Sequence, residues 1–423
     1  MLYRPIWFLS ALMYRVFFKH FFINYKDFDL KRPTIIVSNH NNAFIDPIVF
    51  PTIILPRIYF IVRGDIFNTP LKHWLLWNMG QIPMFRIRDG IDNVKKNEGS
   101  FEQTYDLLAK KQNILIFPEG DCVQEKRIRS LKRGTARMAF GAVLKHGWEL
   151  DLQLLPMLNN YTYPKEFRTE IMVNVGEGIL LSDYKQLYLE NENKALSKLT
   201  DDIHFAMKEL YIHIDNKEDD ELFEKIVILK RNEMQSGIIP WRKKGNVRFE
   251  MEKRLANSIN ESTIELKKEL EEKTKTYFSE LDQHTISDAS IKGNTPNGML
   301  GFFLALLGFP LYTIGVLLNI FQFLFAKKIV DEKIKQITFQ NSIRFGILLA
   351  TNSLIALILI IALSNIHWLL AVLSPIALLL LAFYTINYHE YVQSWLETNR
   401  MNKVDSAVIK ELKVMRAQIL NTL

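Results

Sequence analysis

A histidine and an aspartate, His40 and Asp46, stand six residues apart directly after the apolar run 34–38. Such a pair can act as a general base: the carboxylate holds the imidazole tautomer and stabilises the imidazolium that forms when a hydroxyl proton is taken. Residues six apart lie about 240° apart on an ideal helix, so the pair has to span a turn before the helix. The structural alternative is that Asp46 caps a helix and His40 hydrogen-bonds within the loop.

Two arginines follow a turn shaped by glycine and proline. The segment begins at Gly80 and contains Pro83, Arg86 and Arg88. Guanidinium groups form planar forks that match the oxygens of a phosphate, so both arginines are candidate phosphate ligands. The alternative is that they are solvated surface residues.

A third segment places a carboxylate between proline and glycine at the end of the apolar run 113–117. Glu119, followed by Gly120, is well placed there to bind a substrate hydroxyl; the alternative is a surface turn. Cations follow near a helix start predicted at Leu131, where backbone amides and the helix dipole favour an anion. They are Arg127, Arg129, Lys132, Arg133 and Arg137. In a fourth segment, Pro156 lies inside an apolar run, where it cannot donate to a β-ladder and so shapes a pocket edge.

Short apolar runs alternate with helical stretches after Pro33. The predicted strands are 34–38, 57–62, 113–117, 152–158 and 170–176, and the predicted helices are 70–79, 91–111 and 131–146. This alternation is typical of an α/β fold with a mixed, mainly parallel sheet flanked by helices. Active sites in such sheets lie at the carboxyl ends of the strands, which predicts one common mouth for the residues above.

The first 28 residues contain ten aromatics and no signal-peptide cleavage site. A helical wheel places cations beside an aromatic arc. The cations are Arg4, Arg15, Lys19 and Lys26, and the arc contains Trp7, Tyr14, Phe17, Phe18, Phe21 and Tyr25. This pattern predicts an amphipathic helix at a membrane interface, with its rings among acyl chains. The alternative is a core helix packed on the domain.

The C-terminal region is strongly apolar. No Asp, Glu, Lys or Arg lies between Lys292 and Lys327, or between Arg344 and Glu390. The apolar runs are 299–326, 345–363 and 368–388. Their length and composition predict a transmembrane helical region.

Basic residues flank the last two apolar runs, which predicts a hairpin with both ends in the cytoplasm. The first run must then return to the side on which it entered. Gly308-Phe309-Pro310 lies near its middle and predicts a break that makes the run re-entrant. Three simple spans are the alternative.

Composition and motifs exclude several classes of protein. The formal charge of +7 comes without zinc-finger spacing or a basic–aromatic RNA-binding motif, so phosphorylated small molecules and lipid headgroups are expected partners rather than nucleic acid. Cys122 is the single cysteine and excludes an intramolecular disulfide. There is no HExxH, Cys/His cluster, GxSxG or Walker A loop, which argues against a zinc site, a serine hydrolase and a nucleotide-driven enzyme.

Taken in order, the four segments resemble the blocks of the glycerolipid acyltransferase superfamily, which includes 1-acylglycerol-3-phosphate and glycerol-3-phosphate acyltransferases. The blocks are Asn39-His40…Asp46, Gly80-x-x-Pro83-x-x-Arg86, Phe117-Pro118-Glu119-Gly120 and the Pro156 strand, and the resemblance covers about residues 30–180. Five residues separate the histidine from the aspartate, where the family usually has four. This spacing is similar to the branch of fungal glycerol-3-phosphate/dihydroxyacetone-phosphate acyltransferases and their bacterial relatives. A second departure is Asp121-Cys122, where the family commonly has a small or hydroxyl residue.

The resemblance implies direct acyl transfer without an acyl-enzyme. His40 would deprotonate the acceptor hydroxyl and Asp46 would orient the imidazole, while the donor is a thioester of coenzyme A or acyl carrier protein. The implied substrate-binding residues are Asn39, Gly80, Pro83, Arg86, Arg88, Glu119, Gly120 and Lys132. Of these, the two arginines and the lysine would hold the acceptor phosphate, and Glu119 and Gly120 would position its glycerol. No metal or cofactor is expected, because a thioester is already activated.

The leading hypothesis is a membrane-bound O-acyltransferase acting on glycerol-3-phosphate or dihydroxyacetone phosphate in phospholipid biosynthesis. The alternatives are a lysophosphatidate acyltransferase and a catalytically inactive membrane scaffold. The expected organisation is an interfacial helix (1–28), an acyltransferase domain (29–240), a charged helical connector (241–298), a transmembrane region (299–390) and a cytoplasmic C-terminal helix (391–423). The catalytic domain is expected on the cytoplasmic face, of the inner membrane if the protein is bacterial.

Within the connector, 253–281 is rich in helix formers and charges and predicts an exposed helix or a short helical pair. Such a segment would serve as a lid, as a docking surface for an acyl carrier, or as a solvated connection.

Overall fold

The computed structural model describes residues 3–25, 29–54, 56–85, 97–234, 243–244, 246–293 and 298–422. The chain divides into two compact units. The first is drawn from Met1–Tyr211, Trp241–Gly245 and Ile334–Phe345, and the second from Ile212–Pro240, Asn246–Lys333 and Gly346–Leu423.

Nine strands of the described residues form one sheet in the first unit, in the order β4-β3-β5-β2-β6-β7-β1-β9, with β8 also paired to β6. The strands are β1 (Phe21–Tyr25), β2 (Thr34–Val37), β3 (Ile58–Arg63), β4 (Gln81–Met84), β5 (Asn113–Ile116), β6 (Gln153–Tyr161), β7 (Ile171–Val175), β8 (Ile179–Leu180) and β9 (Lys243–Lys244). Strand β6 runs antiparallel to β7 and β8, and the other pairs are parallel. The predicted mixed, mainly parallel sheet is confirmed.

The helices of the first unit lie between and around these strands. They are α1 (Tyr3–Phe17), α2 (Ile45–Val49), α3 (Pro70–Asn78), α4 (Asn97–Ala109), α5 (Gly134–His146), α6 (Lys185–Glu190) and α7 (Glu192–Glu209). The central strands β2 and β6 are buried along their whole length, because parallel strands covered on both faces exclude water from every side chain.

One face of the sheet packs against α5 and α7. Ile35 and Leu154 from the strands belong to the same buried cluster as Phe140 of α5 and Leu199 of α7. Because side chains alternate along a strand, neighbouring strand residues point to the opposite face. Helix α1 lies there, where the ring of Trp7 is 5.5 Å from that of Phe60, a β3 residue. The predicted flanking of the sheet by helices is therefore confirmed.

Four of the six rings predicted to enter lipid, those of Trp7, Tyr14, Phe17 and Phe18, are instead buried in the protein. Trp7 and Tyr14 are 8% and 4% exposed, and Phe17 is fully buried. Beyond α1 the chain forms strand β1 rather than continuing the helix to residue 28. The prediction for these rings was wrong because an aromatic helix face suits a protein core as well as it suits acyl chains.

The compact units differ from the predicted domain boundaries. The first continuous part of the first unit ends at Tyr211, and Ile212–Pro240 belongs to the second unit instead of the acyltransferase domain predicted to reach residue 240. The helices that begin the second unit are α8 (Asp220–Glu233), α9 (Val247–Glu261), α10 (Ile264–Gln283) and α11 (Asp288–Lys292). Helices α9 and α10 form the predicted helical pair and bury apolar residues such as Leu255 and Leu281.

Three long helices dominate the C-terminal part, followed by α15 (Ser406–Asn421). They are α12 (Gly298–Lys333), α13 (Ile337–Ser364) and α14 (Trp368–Met401), and each contains a long, strongly apolar stretch. Each is long and apolar enough to cross a membrane. Helices α12 and α14 pack closely, and the hydroxyls of Tyr384 and Tyr391 donate to the carbonyls of Gly308 and Gly301 at 2.8 and 3.1 Å.

The predicted break at Gly308-Phe309-Pro310 is wrong, because α12 is one continuous helix with Pro310 inside it. A proline removes a single backbone donor from a helix, and an apolar environment favours keeping all the other helical hydrogen bonds. The side on which each end of α12 lies stays a prediction.

Candidate active site

The histidine and the aspartate of the first segment are in direct contact. Nδ1 of His40 lies 2.9 Å from Oδ2 of Asp46, and the imidazole stacks on the ring of Phe117 with centroids 4.0 Å apart and planes 8° from parallel. His40 follows β2 and Phe117 follows β5, so neighbouring parallel strands deliver the two rings to one edge of the sheet. The His40 side chain is 19% exposed, which leaves a route from solvent to the ring.

Asp46 is fully buried and its carboxylate is held by several donors. Besides His40, Oδ2 accepts from the backbone N–H groups of Asn41 and Asn42, both at 2.7 Å. The other oxygen, Oδ1, accepts from the hydroxyl of Tyr161 at 2.6 Å. A buried carboxylate is stable only when its lone pairs are satisfied, and here they are used to fold the loop back on itself. Asp46 therefore both orients the imidazole and shapes the turn.

The loop accommodates the six-residue spacing between His40 and Asp46 by forming a turn. Residues 41–44 form the turn, and Asp46 occupies the second position of the short helix α2. The loop reverses direction at the backbone amides that Asp46 binds, so the carboxylate returns to the histidine despite the extra residue. This agrees with the expectation that the pair spans a turn before a helix.

The side chain of Asn39, implied as a substrate-binding residue, forms hydrogen bonds within the protein. Its side chain is 1% exposed, donates to the carbonyl of Asn159 and accepts from the N–H of the same residue, both at 2.9 Å. It also donates to the Asn41 side chain at 2.6 Å. Asn39 thus fastens the histidine loop to β6, and its contact with substrate stays a prediction.

Glu119 is buried and paired with an arginine. The guanidinium of Arg129 donates from Nε to Oε2 of Glu119 at 2.9 Å and from Nη2 to the carbonyl of Asp121 at 2.5 Å. Burial raises the pKa of the Glu119 carboxyl above its usual range, and the Arg129 charge opposes that shift. The pair stabilises the turn after β5.

The glycine after Glu119 allows a lysine to lie across the turn. Gly120 has φ of +79°, and a Cβ there would come within 2.9 Å of Nζ of Lys132. Only glycine adopts this backbone conformation without strain and leaves room for the lysine chain. The Lys132 side chain is 64% exposed, so its ammonium is accessible to an anion.

The segment that begins at Gly80 and contains Pro83 lies at the edge of the described sheet. Gly80 ends the turn after α3, and its carbonyl accepts from Phe60 at 2.8 Å. Pro83 is in β4, which pairs only with β3 among the described strands, as expected for a residue with no backbone donor. At the end of β4, the backbone of Phe85 exchanges two hydrogen bonds of 2.7 Å with the side chain of Asn97.

The two phosphate-binding candidates of this segment, Arg86 and Arg88, lie outside the described residues. The structure thus brings together His40, Asp46, Glu119, Gly120 and Lys132 around the ends of β2 and β5, and leaves both arginines undescribed. Among the residues that sequence reasoning missed is Tyr161, a buried donor to the aspartate. Its only sequence signal is a tyrosine at the end of an apolar strand.

Replacing Tyr161 by phenylalanine removes the shortest hydrogen bond to Asp46. Burial, and then the charge of Asp46, raise the pKa of Tyr161 well above its usual range, so the phenol is neutral and donates. We expect Tyr161→Phe to lower the free energy of unfolding by about 1–3 kcal/mol in chemical denaturation of the detergent-solubilised chain, and to lower kcat as well. Tyr184→Phe, which breaks a 2.6 Å bond to Asp202 at a half-buried position, is the matched control and should cost less. Equal stability of Tyr161→Phe and wild type would contradict this.

Comparison with known proteins agrees with these features. An acyltransferase family model matches residues 19–158. Glycerol-3-phosphate O-acyltransferase 2 of Saccharomyces cerevisiae is 28% identical over 116 residues, which are 27% of this chain and 15% of that protein. The chloroplastic 1-acyl-sn-glycerol-3-phosphate acyltransferase LPAT1 of Arabidopsis thaliana is 30% identical over 110 residues, which are 25% of this chain and 28% of that protein. The chain thus spans less than a third of the length of either of these two relatives.

A solved structure is also similar. The crystal structure of the 1-acyl-sn-glycerophosphate (LPA) acyltransferase PlsC from Thermotoga maritima aligns with a TM-score of 0.30 and 14% identity, over 46% of this chain and 78% of that one. The family match includes the histidine–aspartate pair and Glu119 with Gly120. Residues 19–158 thus match an acyltransferase family model, and the relatives that this chain resembles include proteins named as glycerol-3-phosphate and 1-acyl-sn-glycerol-3-phosphate acyltransferases.

Proposed function

We propose that this chain is a membrane-bound O-acyltransferase that moves a fatty acyl group from acyl-CoA or acyl carrier protein to the hydroxyl of glycerol-3-phosphate or dihydroxyacetone phosphate. The observation that carries the proposal is the 2.9 Å contact between Nδ1 of His40 and the buried carboxylate of Asp46, within an acyltransferase-family domain. The yeast relative, named as a glycerol-3-phosphate O-acyltransferase, supports this acceptor.

The proposed chemistry begins with proton transfer to the histidine. With the Nδ1 proton directed at Asp46, Nε2 of His40 has a free lone pair and takes the proton of the acceptor hydroxyl. The oxygen then attacks the thioester carbonyl and forms a tetrahedral intermediate. As that intermediate collapses, the new C–O bond is kept, the C–S bond breaks, and the imidazolium returns its proton to the leaving thiolate. Asp46 stabilises the imidazolium throughout this sequence.

The acceptor phosphate is assigned to cations near the same mouth. Lys132 is accessible and lies across Gly120, close to the end of β5. Arg86, with Arg88, is assigned the same ligand from its place in the second sequence block. Glu119 and Gly120 are assigned to shape the turn against which the glycerol backbone lies. Acyl thioesters are cytoplasmic, so we place the catalytic unit on that side of the membrane.

Replacing Arg86 by alanine tests the phosphate assignment. We expect the KM for glycerol-3-phosphate to rise by about 10- to 100-fold with a smaller change in kcat, since a charge-assisted hydrogen bond that is made before and during reaction contributes to binding. Initial rates over a range of acceptor concentrations measure both constants. Arg32→Ala is the control, because Arg32 precedes β2 and pairs with Asp151 at 3.2 Å, at the opposite end of the strand. An unchanged KM for Arg86→Ala would contradict the assignment.

A second candidate function is acylation of lysophosphatidate. The Arabidopsis relative, named as a 1-acyl-sn-glycerol-3-phosphate acyltransferase, favours it, and the same histidine would act on the free hydroxyl of a lipid acceptor. A catalytically inactive membrane scaffold is the non-enzyme alternative.

One experiment separates these functions. Purified full-length chain is given a labelled acyl group, carried in parallel series by coenzyme A and by acyl carrier protein. In separate reactions the acceptor is glycerol-3-phosphate, dihydroxyacetone phosphate or lysophosphatidate. The proposal predicts the highest kcat/KM for one of the two small acceptors. A higher value for lysophosphatidate would support the second candidate, and no labelled ester with any acceptor, from either acyl-CoA or acyl carrier protein, would support the scaffold.

A further inference from the structure

The helix that carries Asp46 begins without a cap of its own. Helix α2 starts at Ile45, and its N-cap residue is Phe44, which makes no side-chain cap hydrogen bond. The first N–H groups of any helix have no acceptor within the helix and are usually satisfied by a polar side chain at the cap. A phenylalanine cannot supply one, so another part of the chain has to.

That acceptor comes from a serine about three hundred positions away in the sequence. Oγ of Ser342 accepts from the N–H of Phe44 at 2.9 Å and from the N–H of Ile45 at 3.3 Å. Ser342 is 2% exposed, so water does not compete for these donors. Its hydroxyl performs for α2 the task of an N-cap side chain.

Other residues near Ser342 also contact the loop that leads into α2. The carbonyl of Thr338 accepts from the N–H of Ala43 at 3.1 Å. The side chain of Gln124 donates to Asn42 at 3.0 Å and to the carbonyl of Ile337 at 3.5 Å. Four consecutive loop residues, 42–45, are thus tied to 337–342 directly or through one glutamine.

The segment that supplies these contacts is itself fixed within the first unit. Asn341 donates to the carbonyls of Pro164 and Glu166 at 2.7 and 2.9 Å. The ring of Phe345, 1% exposed, stacks on that of Tyr14 with centroids 4.9 Å apart. The segment is the beginning of α13, the helix with the highest mean hydropathy of the three membrane candidates. It lies outside residues 19–158, which the family model matches.

We propose that Ser342 is a positioning residue for the His40–Asp46 pair and that its hydroxyl caps α2 so that the carboxylate keeps its place against the imidazole. The proposal rests on the function proposed above, because its consequence is a rate of acyl transfer. Ser342 acts through the backbone of Phe44 and Ile45, whose N–H groups its hydroxyl accepts from. Catalytic geometry then depends on the first turns of an apolar helix.

The test compares Ser342→Ala, Ser342→Thr and wild type as full-length, membrane-reconstituted protein. Ser342→Ala should lower kcat by roughly 2- to 30-fold with the acceptor KM unchanged, as expected for the loss of a helix cap that affects the catalytic pair alone. Ser342→Thr keeps the hydroxyl and should restore most of that loss. Ser353→Ala is the control: it removes a hydroxyl from the same helix that donates only to Leu349, and it should leave kcat unchanged.

Hydrogen–deuterium exchange separates a failure of this proposal from a failure of the proposed function. Amides of residues 43–46 should exchange faster in Ser342→Ala than in wild type, whether or not an acceptor has been found. A kcat of Ser342→Ala within twofold of wild type, or a matching loss in Ser353→Ala, would overturn the positioning function. If wild type acylates none of the acceptors, unchanged exchange at 43–46 would overturn it, while faster exchange would uphold the cap and count against the proposed function alone.

Discussion

Replacing His40 by alanine is expected to reduce the rate of acyl transfer by about 10²- to 10⁴-fold, the contribution that a general base makes to a proton-transfer step. We expect the variant to keep the fold, because the His40 side chain is 19% exposed and its ring is held by stacking and one hydrogen bond to Asp46. Initial rates with a labelled acyl donor measure the loss, and both kcat and kcat/KM should fall because the base acts in the transition state.

A histidine elsewhere in the same domain provides the matched control. Nε2 of His146 lies 3.0 Å from Oδ1 of Asp106, so it is also paired with an aspartate, but at the surface near the end of α5. His146→Ala should transfer acyl groups at the wild-type rate. Comparable losses in His40→Ala and His146→Ala would mean that the first loss is not specific to the proposed base.

Asp46→Asn is expected to lower kcat by a similar factor, about 10²- to 10⁴-fold, while the loop stays folded. The amide oxygen can still accept from the N–H groups of Asn41 and Asn42 and from His40, which keeps the turn. A neutral amide does not stabilise the imidazolium, however, so the base loses its counter-charge. The free energy of unfolding should fall by only about 1–3 kcal/mol, because one buried hydrogen-bond partner changes character.

Measuring kcat and denaturation together separates these two effects. The control is Asp106→Asn, which makes the same chemical change in the surface pair and should alter neither quantity appreciably, since exposed ion pairs contribute little. An Asp46→Asn variant with kcat within tenfold of wild type would show that the carboxylate charge is not needed. The proposed function of Asp46, to stabilise the imidazolium, would then be wrong.

The central strands, and the sheet edge at which their carboxyl ends meet, were predictable from the composition of the strands. Strands β2 and β5 are short, mainly apolar runs without glycine or proline, and burial on both faces requires that composition. Since the carboxyl ends of parallel strands meet at one edge of a sheet, the sequence predicts that His40 and Glu119 lie near each other. Strand β4 was not predicted, because four residues that include Pro83 carry little strand signal.

The location of the aromatic helix could not be read from its pattern. Arg4 and Arg15 are exposed and the rings of Tyr14 and Phe17 are buried, so the amphipathic division itself is correct. What the pattern does not state is whether lipid or protein covers the apolar side. The pattern was also misleading in α12, where glycine and proline suggested a break that the continuous helix does not have.

Contacts between residues distant in the sequence limit how much of the site can be predicted from the sequence. The six-residue spacing predicts the contact between His40 and Asp46, because both lie in one loop. Tyr161 and Ser342 reach the same loop from positions 115 and 297 residues distant in the chain. Nothing in local periodicity or propensity relates residues so far apart, so only the fold reveals that they complete the surroundings of the aspartate.

The most direct test of acyl transfer by this chain is a mass balance on a single reaction. Purified full-length chain is incubated with acyl-CoA and glycerol-3-phosphate, and the free thiol and the new ester are measured in the same samples. We expect thiol and ester to appear in equal amounts, both to require the acceptor, and both to be lost in His40→Ala. Thiol release that continues without an acceptor and without ester, or ester formation unaffected by His40→Ala, would contradict this expectation.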